Sequence, residues 1–82
     1  ADRQAREREA KRLKSRITDL ERRISEKEQA VRDLEHLMAS PGFYQDRVAA
    51  EKAVAERQAL LDEVAAAMSD WESLQSAVEA VR

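Results

Sequence analysis

The side chains that could carry out catalysis are sparse in this sequence of 82 residues. His36 is the only histidine, cysteine is absent, and the single glycine, Gly42, is too little for a glycine-rich phosphate loop. Acid–base catalysis and metal binding both need several such groups that converge on one point. The carboxylates instead recur along helical positions that face solvent, and His36 falls on an outward face. We therefore predict that the chain is not an enzyme and holds no metal ion or cofactor.

Positive charge is concentrated in the first part of the chain. Residues 1–24 contain nine basic and five acidic side chains, whereas residues 41–82 contain four basic and eight acidic ones. Either a basic helix pairs with an acidic helix, or the basic side chains hold nucleic-acid phosphates. The candidates for phosphate contact, here called the basic row, are Arg8, Lys11, Arg12, Lys14 and Arg22. No base-reading motif accompanies the basic row, so such binding would not depend on nucleotide sequence.

Two long helices must position these side chains. In the first, apolar positions step by three and four residues, which is typical of a coiled coil. Lys27 alone breaks the apolar character of this stripe, which contains Ala10, Leu13, Ile17, Leu20, Ile24, Lys27, Val31, Leu34 and Met38. A second stripe consists of Ala50, Ala53, Arg57, Leu60, Val64, Ala67, Trp71, Leu74, Val78 and Val81.

The segment between the two stripes predicts a sharp bend. Ser40-Pro41-Gly42 contains the only proline and the only glycine, and Asp46 is suited to cap the N-terminus of a following helix. We predict one coiled-coil domain over residues 1–82, with helix one at about 3–39, a bend at about 40–45 and helix two at about 46–81. So short a connection favours antiparallel neighbours, so the predicted fold class is all-α, a two-helix antiparallel coiled-coil hairpin.

A register for the hairpin follows if the chain reverses at Pro41-Gly42. Leu20 then lies opposite Val64, with Ile24 by Leu60 and Ile17 by Ala67. The predicted ion pairs are Arg16–Asp70, Arg23–Glu63 and Glu35–Arg47. This register leaves Lys27 level with Arg57, two cations in one core layer, and puts Trp71 level with Leu13.

Several apolar residues allow two interpretations each. Trp71 is expected to be buried, with base stacking as the alternative. Phe43 and Tyr44 either plug the end of the hairpin or form an exposed aromatic tip. Val54, Leu61 and Met68 widen the apolar face of helix two, either to pack under neighbouring side chains or to dock a partner.

The bend and the end of helix two resemble the C-terminal domain of Uup-type ABC-F ATPases. That domain is typified by a turn like D-P-x-[LF]-Y-x-D and a closing W-E-x-L, and the corresponding segments here are Ser40–Asp46 and Trp71–Leu74. The resemblance covers roughly residues 8–78, and it departs at Ser40, where the family favours Asp, and at Ala67, where a larger apolar residue is common. A less close resemblance is to the N-terminal helical domain of class I release factors, whose bend is similar to S-D-P-x-F-W-x-D.

The ABC-F resemblance implies a non-catalytic tail of a longer cytoplasmic ATPase, whose cassettes would bind ATP and Mg²⁺ outside this chain. It also implies a partner, either DNA or ribosomal RNA, and the parent's own ATPase domains are a further possible partner. No membrane segment and no small-molecule substrate are expected. The alternative is a structural coiled coil that dimerises or docks another protein.

Overall fold

A computed structural model describes residues 2–81 and consists of two long helices joined by a short turn. Helix α1 spans Asp2–Met38, a 3₁₀ helix spans Phe43–Gln45, and helix α2 spans Arg47–Val81. The long helices pack antiparallel, side by side, and the molecule measures 65 × 14 × 14 Å. The predicted all-α, two-helix antiparallel coiled-coil hairpin is confirmed.

The core is the seam between the two predicted stripes. Its buried residues are Leu13, Ile17, Ile24 and Val31 of α1, and Ala50, Ala53, Ala67 and Val78 of α2. Three of the four residues from α2 are alanines, whose small side chains let the helices approach closely. Packing is most extensive at the end away from the bend, where Trp71, Leu74, Ala77 and Val81 surround a cluster of Leu13, Ile17 and Val78.

The bend is built by local hydrogen bonds. Gly42 has φ 79°, a left-handed conformation that favours glycine, and its carbonyl accepts a hydrogen bond from Gln45 N at 3.1 Å. Asp46 caps α2 as predicted, because its Oδ1 accepts a hydrogen bond from Ala49 N at 3.1 Å. The backbone groups at the end of one helix and the start of the next are thus largely satisfied within the turn itself.

The two aromatic residues of the bend have different environments. Phe43 is half-buried, whereas Tyr44 is 63% exposed and meets the Phe43 ring edge to face, with the ring centroids 5.1 Å apart. The plug interpretation therefore describes Phe43, and the exposed-tip interpretation describes Tyr44.

The predicted register is wrong by about one heptad. Lys27 Nζ lies 3.3 Å from Glu63 Oε2, Arg57 Nη2 lies 3.0 Å from Glu35 Oε2, and Trp71 Nε1 donates to Glu21 Oε2 at 3.1 Å. These contacts place Leu20 close to the level of Trp71 and not opposite Val64. The predicted neighbours Ile24–Leu60 and Ile17–Ala67 are wrong by the same shift.

The predicted ion pairs change with the register. Arg47 bonds Glu51 on its own helix, and Glu35 bonds Arg57. Arg16–Asp70 and Arg23–Glu63 are not among the ion pairs of the described residues, since Glu63 instead meets Lys27. Trp71 is not level with Leu13; it is half-buried beside Glu21.

The position of the bend explains this shift. The prediction reversed the chain at Pro41-Gly42, but the structure adds the 3₁₀ helix after Gly42, which contacts both long helices. The first turns of α2 consequently extend past the end of α1. The shift also separates Lys27 from Arg57 and gives each cation a carboxylate, which removes the repulsion that the predicted register contained.

Within residues 2–81, the shifted register leaves the start of α1 without a neighbouring helix. Val81, the last described residue of α2, packs against the cluster of Leu13 and Ile17. Residues 2–8 of α1 are all exposed and project beyond that level. We call these residues the projecting turns.

Candidate nucleic-acid interface

The basic row lies along the exposed surface of α1. All five of its residues are exposed, and four of them, Arg8, Lys11, Arg12 and Arg22, occupy heptad positions that point away from the core stripe. Lys14 lies at a flank of that stripe. From Arg8 to Arg22 the row extends about 21 Å, at 1.5 Å per residue. A row of this length can reach several phosphates of a nucleic-acid backbone.

Two members of the basic row are already bonded to carboxylates of α1. Arg12 donates to both carboxylate oxygens of Glu9, with Nη2–Oε1 at 2.6 Å and Nε–Oε2 at 3.0 Å. Arg22 Nη2 lies 3.3 Å from Asp19 Oδ1. Both pairs are exposed, so they compete with phosphate binding without preventing it.

The Arg12–Glu9 pair also perturbs the ionisation of both groups. The hydrogen bond from Arg12 is the main effect that lowers the pKa of Glu9. Desolvation opposes it, and the charges of Arg12 and Arg16 lower the pKa further. The hydrogen bond from Glu9 raises the pKa of Arg12. At neutral pH, Glu9 is therefore ionised and offsets the charge of Arg12.

The other members of the basic row are uncommitted. Within residues 2–81, Arg8, Lys11 and Lys14 form no ion pair. Arg8 and Lys11 lie together at a shallow depression that also includes Gln4 and Glu7. These three side chains keep their full positive charge available to a ligand.

Sequence reasoning missed two further exposed cations. Arg16 and Arg23 were assigned to ion pairs with α2, but the described part of α2 offers them no such pair. Both line a shallow cavity between the helices, together with Asp70 and Ser73. The one-heptad shift explains the miss, and only the correct register could have shown that these cations are available.

The acidic side chains and the histidine of the described residues were the candidates for a metal site. His36 is exposed, and residues 2–81 contain no group of three or more His, Cys, Asp or Glu side chains placed to hold a metal ion. What the basic row can do chemically is attract and hold anionic groups by charge and hydrogen bonding.

No helix within residues 2–81 combines the length and the apolar character needed to cross a bilayer.

The fold is a helical hairpin that presents an exposed row of cations on α1. A family model described as the ABC transporter C-terminal domain matches residues 5–76, so this chain belongs to that family. This match favours the ABC resemblance over the release-factor resemblance. No curated protein and no solved structure gives a significant match.

Proposed function

We propose that this domain is the nucleic-acid-binding tail of a cytoplasmic ABC-F ATPase of the Uup type. In this proposal the tail is non-catalytic, and the ATP- and Mg²⁺-binding cassettes lie in the parent protein. The tail holds the phosphate backbone of DNA or of ribosomal RNA without reading its sequence.

The observation that carries the proposal is the exposed basic row on α1. Three of its cations are uncommitted, and Arg16 and Arg23 add two more on the neighbouring flank. Membership of the ABC transporter C-terminal domain family supports the parent ATPase.

The test is the salt dependence of binding to a duplex DNA of random sequence. With about 3–4 phosphates engaged, a plot of log affinity against log salt concentration should have a slope near −3. A duplex RNA of the same length, measured in parallel, distinguishes the two sources of phosphate. An electrophoretic shift that is absent for both duplexes even at low salt contradicts the proposal.

Variants locate the contact on α1. Arg8→Gln with Lys11→Gln should weaken binding at least tenfold at low salt and bring the slope close to −1, because each lost phosphate contact removes about one unit. The matched control is Arg47→Gln with Lys52→Gln, which changes the net charge equally but lies on α2. The charge reversal Arg8→Glu with Arg12→Glu should abolish the electrophoretic shift. Equal losses in the test and control variants would contradict an interface on the basic row.

A further inference from the structure

Helix α2 carries a second apolar row that α1 does not cover. This row, the apolar strip, consists of Val54, Leu61 and Met68, which recur every seven residues on one flank of the main stripe. Val54 is 50% exposed, Met68 is 43% exposed and Leu61 is half-buried. Apolar side chains at heptad spacing are what a packed neighbouring helix contacts.

Acidic side chains border the apolar strip on the side of α1. Glu21 and Glu28 line a shallow cavity of about 230 Å³ together with Met68 and Trp71. Glu35 continues this margin one heptad further, where it bonds Arg57. Glu28 is exposed and, within residues 2–81, has no hydrogen bond or ion pair to offset its charge.

The far side of the apolar strip carries charges of both signs. Glu51 lies with Val54, Tyr44 and Arg47 at a second shallow cavity, and Arg47 bonds Glu51 there. Arg57 is bonded to Glu35 in the same way. Each of these ion pairs is neutral overall, so the net negative charge beside the strip comes from Glu21 and Glu28 of α1. The strip is therefore the floor of an apolar groove with one negatively charged margin.

We infer that this groove binds an amphipathic α-helix of another polypeptide, whose apolar stripe is flanked by Lys or Arg. The apolar stripe covers Val54, Leu61 and Met68, and cations on one flank of the bound helix meet Glu21 and Glu28. From Val54 to Met68 the groove is about 21 Å long, which corresponds to about four helical turns. The site is separate from the proposed nucleic-acid interface, and neither depends on the other.

Charge complementarity selects this occupant over a second copy of the chain. Two copies packed strip against strip in an antiparallel arrangement would bring the Glu21 and Glu28 side chains of both copies together, and like charges in such positions repel. A basic helix replaces this repulsion with attraction and removes the exposed apolar side chains from water.

The probe is a synthetic 18-residue helical peptide with Leu at its core heptad positions and Lys at the flanking ones. Trp71 is the only tryptophan and lines the groove, so its fluorescence reports binding. The Lys-flanked peptide should bind at least tenfold more tightly than the same peptide with Glu at the flanks. Equal binding of the two peptides, or no binding of either, overturns the inference.

Variants of the chain separate the groove from non-specific attraction. Leu61→Gln with Met68→Gln should weaken binding at least tenfold, whereas Val48→Gln, which removes a 77% exposed apolar side chain outside the groove, should leave it unchanged. Circular dichroism verifies that each variant stays helical. Equal binding by the groove variant and the native chain overturns the inference.

A charge reversal gives a test that leaves the apolar strip intact. Glu28→Lys should weaken binding of the Lys-flanked peptide and strengthen binding of the Glu-flanked peptide. The change removes no contact described for the native chain. Light scattering supplies the remaining outcome. A stable dimer of the native chain that Leu61→Gln dissociates would assign the groove to a second copy and overturn the inference.

Discussion

At the scale of single residues, the availability of each cation matters more than the number of cations. Arg12 and Arg22 are bonded to Glu9 and Asp19, whereas Arg8, Lys11 and Lys14 have no such partner among residues 2–81. The hydrogen bond from Arg12 lowers the pKa of Glu9, so the two groups form an ion pair at neutral pH. The strength of the basic row is thus set partly by its acidic neighbours.

Glu9→Gln should therefore raise the affinity for duplex DNA. The change frees Arg12 to contact a phosphate and removes a negative charge, so the log–log salt slope should become steeper by about one unit. The measurement is the same salt titration. Glu56→Gln is the matched control, because Glu56 is an exposed carboxylate on α2.

A change in affinity that is the same for Glu9→Gln and Glu56→Gln would show that net charge alone acts. It would contradict a specific role for the Arg12–Glu9 pair.

At the scale of helices, local chemistry is readable from the sequence but the register is not. The stripes, the cap at Asp46 and the turn at Gly42 follow from residue type and spacing, and each is observed. The register depends on where the chain reverses, and the 3₁₀ helix at Phe43–Gln45 has no strong sequence signal. Since the heptad repeats, a shift of seven residues keeps the apolar stripes facing each other, so only specific pairs such as Arg57–Glu35 distinguish the two registers.

The same reasoning explains which part of the candidate site could be predicted. Exposure of the basic row follows from its heptad positions, which do not depend on the register. Whether Arg16 and Arg23 form ion pairs depends on which residues of α2 lie opposite them. An error of one heptad therefore gave the wrong answer for both. The apolar groove could be recognised only with both helices in their true alignment, because its acidic margin belongs to α1 and its apolar strip to α2.

A charge exchange tests the observed register. Glu35→Arg and Arg57→Glu should each lower the free energy of unfolding, and the double variant should recover about 0.5–1 kcal/mol relative to the sum of the single changes. Urea denaturation of the four proteins gives this coupling energy. The comparison cycle combines Glu35→Arg with Arg47→Glu and should show no recovery.

A stabilising coupling energy for Glu35→Arg with Arg47→Glu, and none for Glu35→Arg with Arg57→Glu, would indicate that Glu35 faces Arg47. That result would contradict the alignment described above.

At the scale of the whole molecule, the two ends of the rod are unequal. The end with Leu13, Ile17 and Val78 has the most extensive packing, yet the projecting turns beyond it have no neighbouring helix in the described chain. Isolated helical turns are only marginally stable in water, because most helical stability in proteins comes from packing. Stability should therefore change abruptly along α1.

Hydrogen exchange of this domain should show that change. Amides of residues 6–8 should exchange at least tenfold faster than those around Ile17 and Ile24, which are buried in the seam. The comparison within α2 is between amides near Ala53 and amides near Val78. Because α2 is packed at both places, their exchange rates should differ less than those along α1. Equal protection along the whole of α1 would show that another surface covers the projecting turns.

The elongated shape has a mechanical consequence. A rod 65 Å long and 14 Å across acts as a lever, so a rotation of a few degrees where one end is held moves the other end through several ångströms. The exposed ring of Tyr44 lies at the bend end of the rod, so it would move furthest if the opposite end were held. A hairpin of this form can convert a small change of angle into a displacement large enough to make or break a contact.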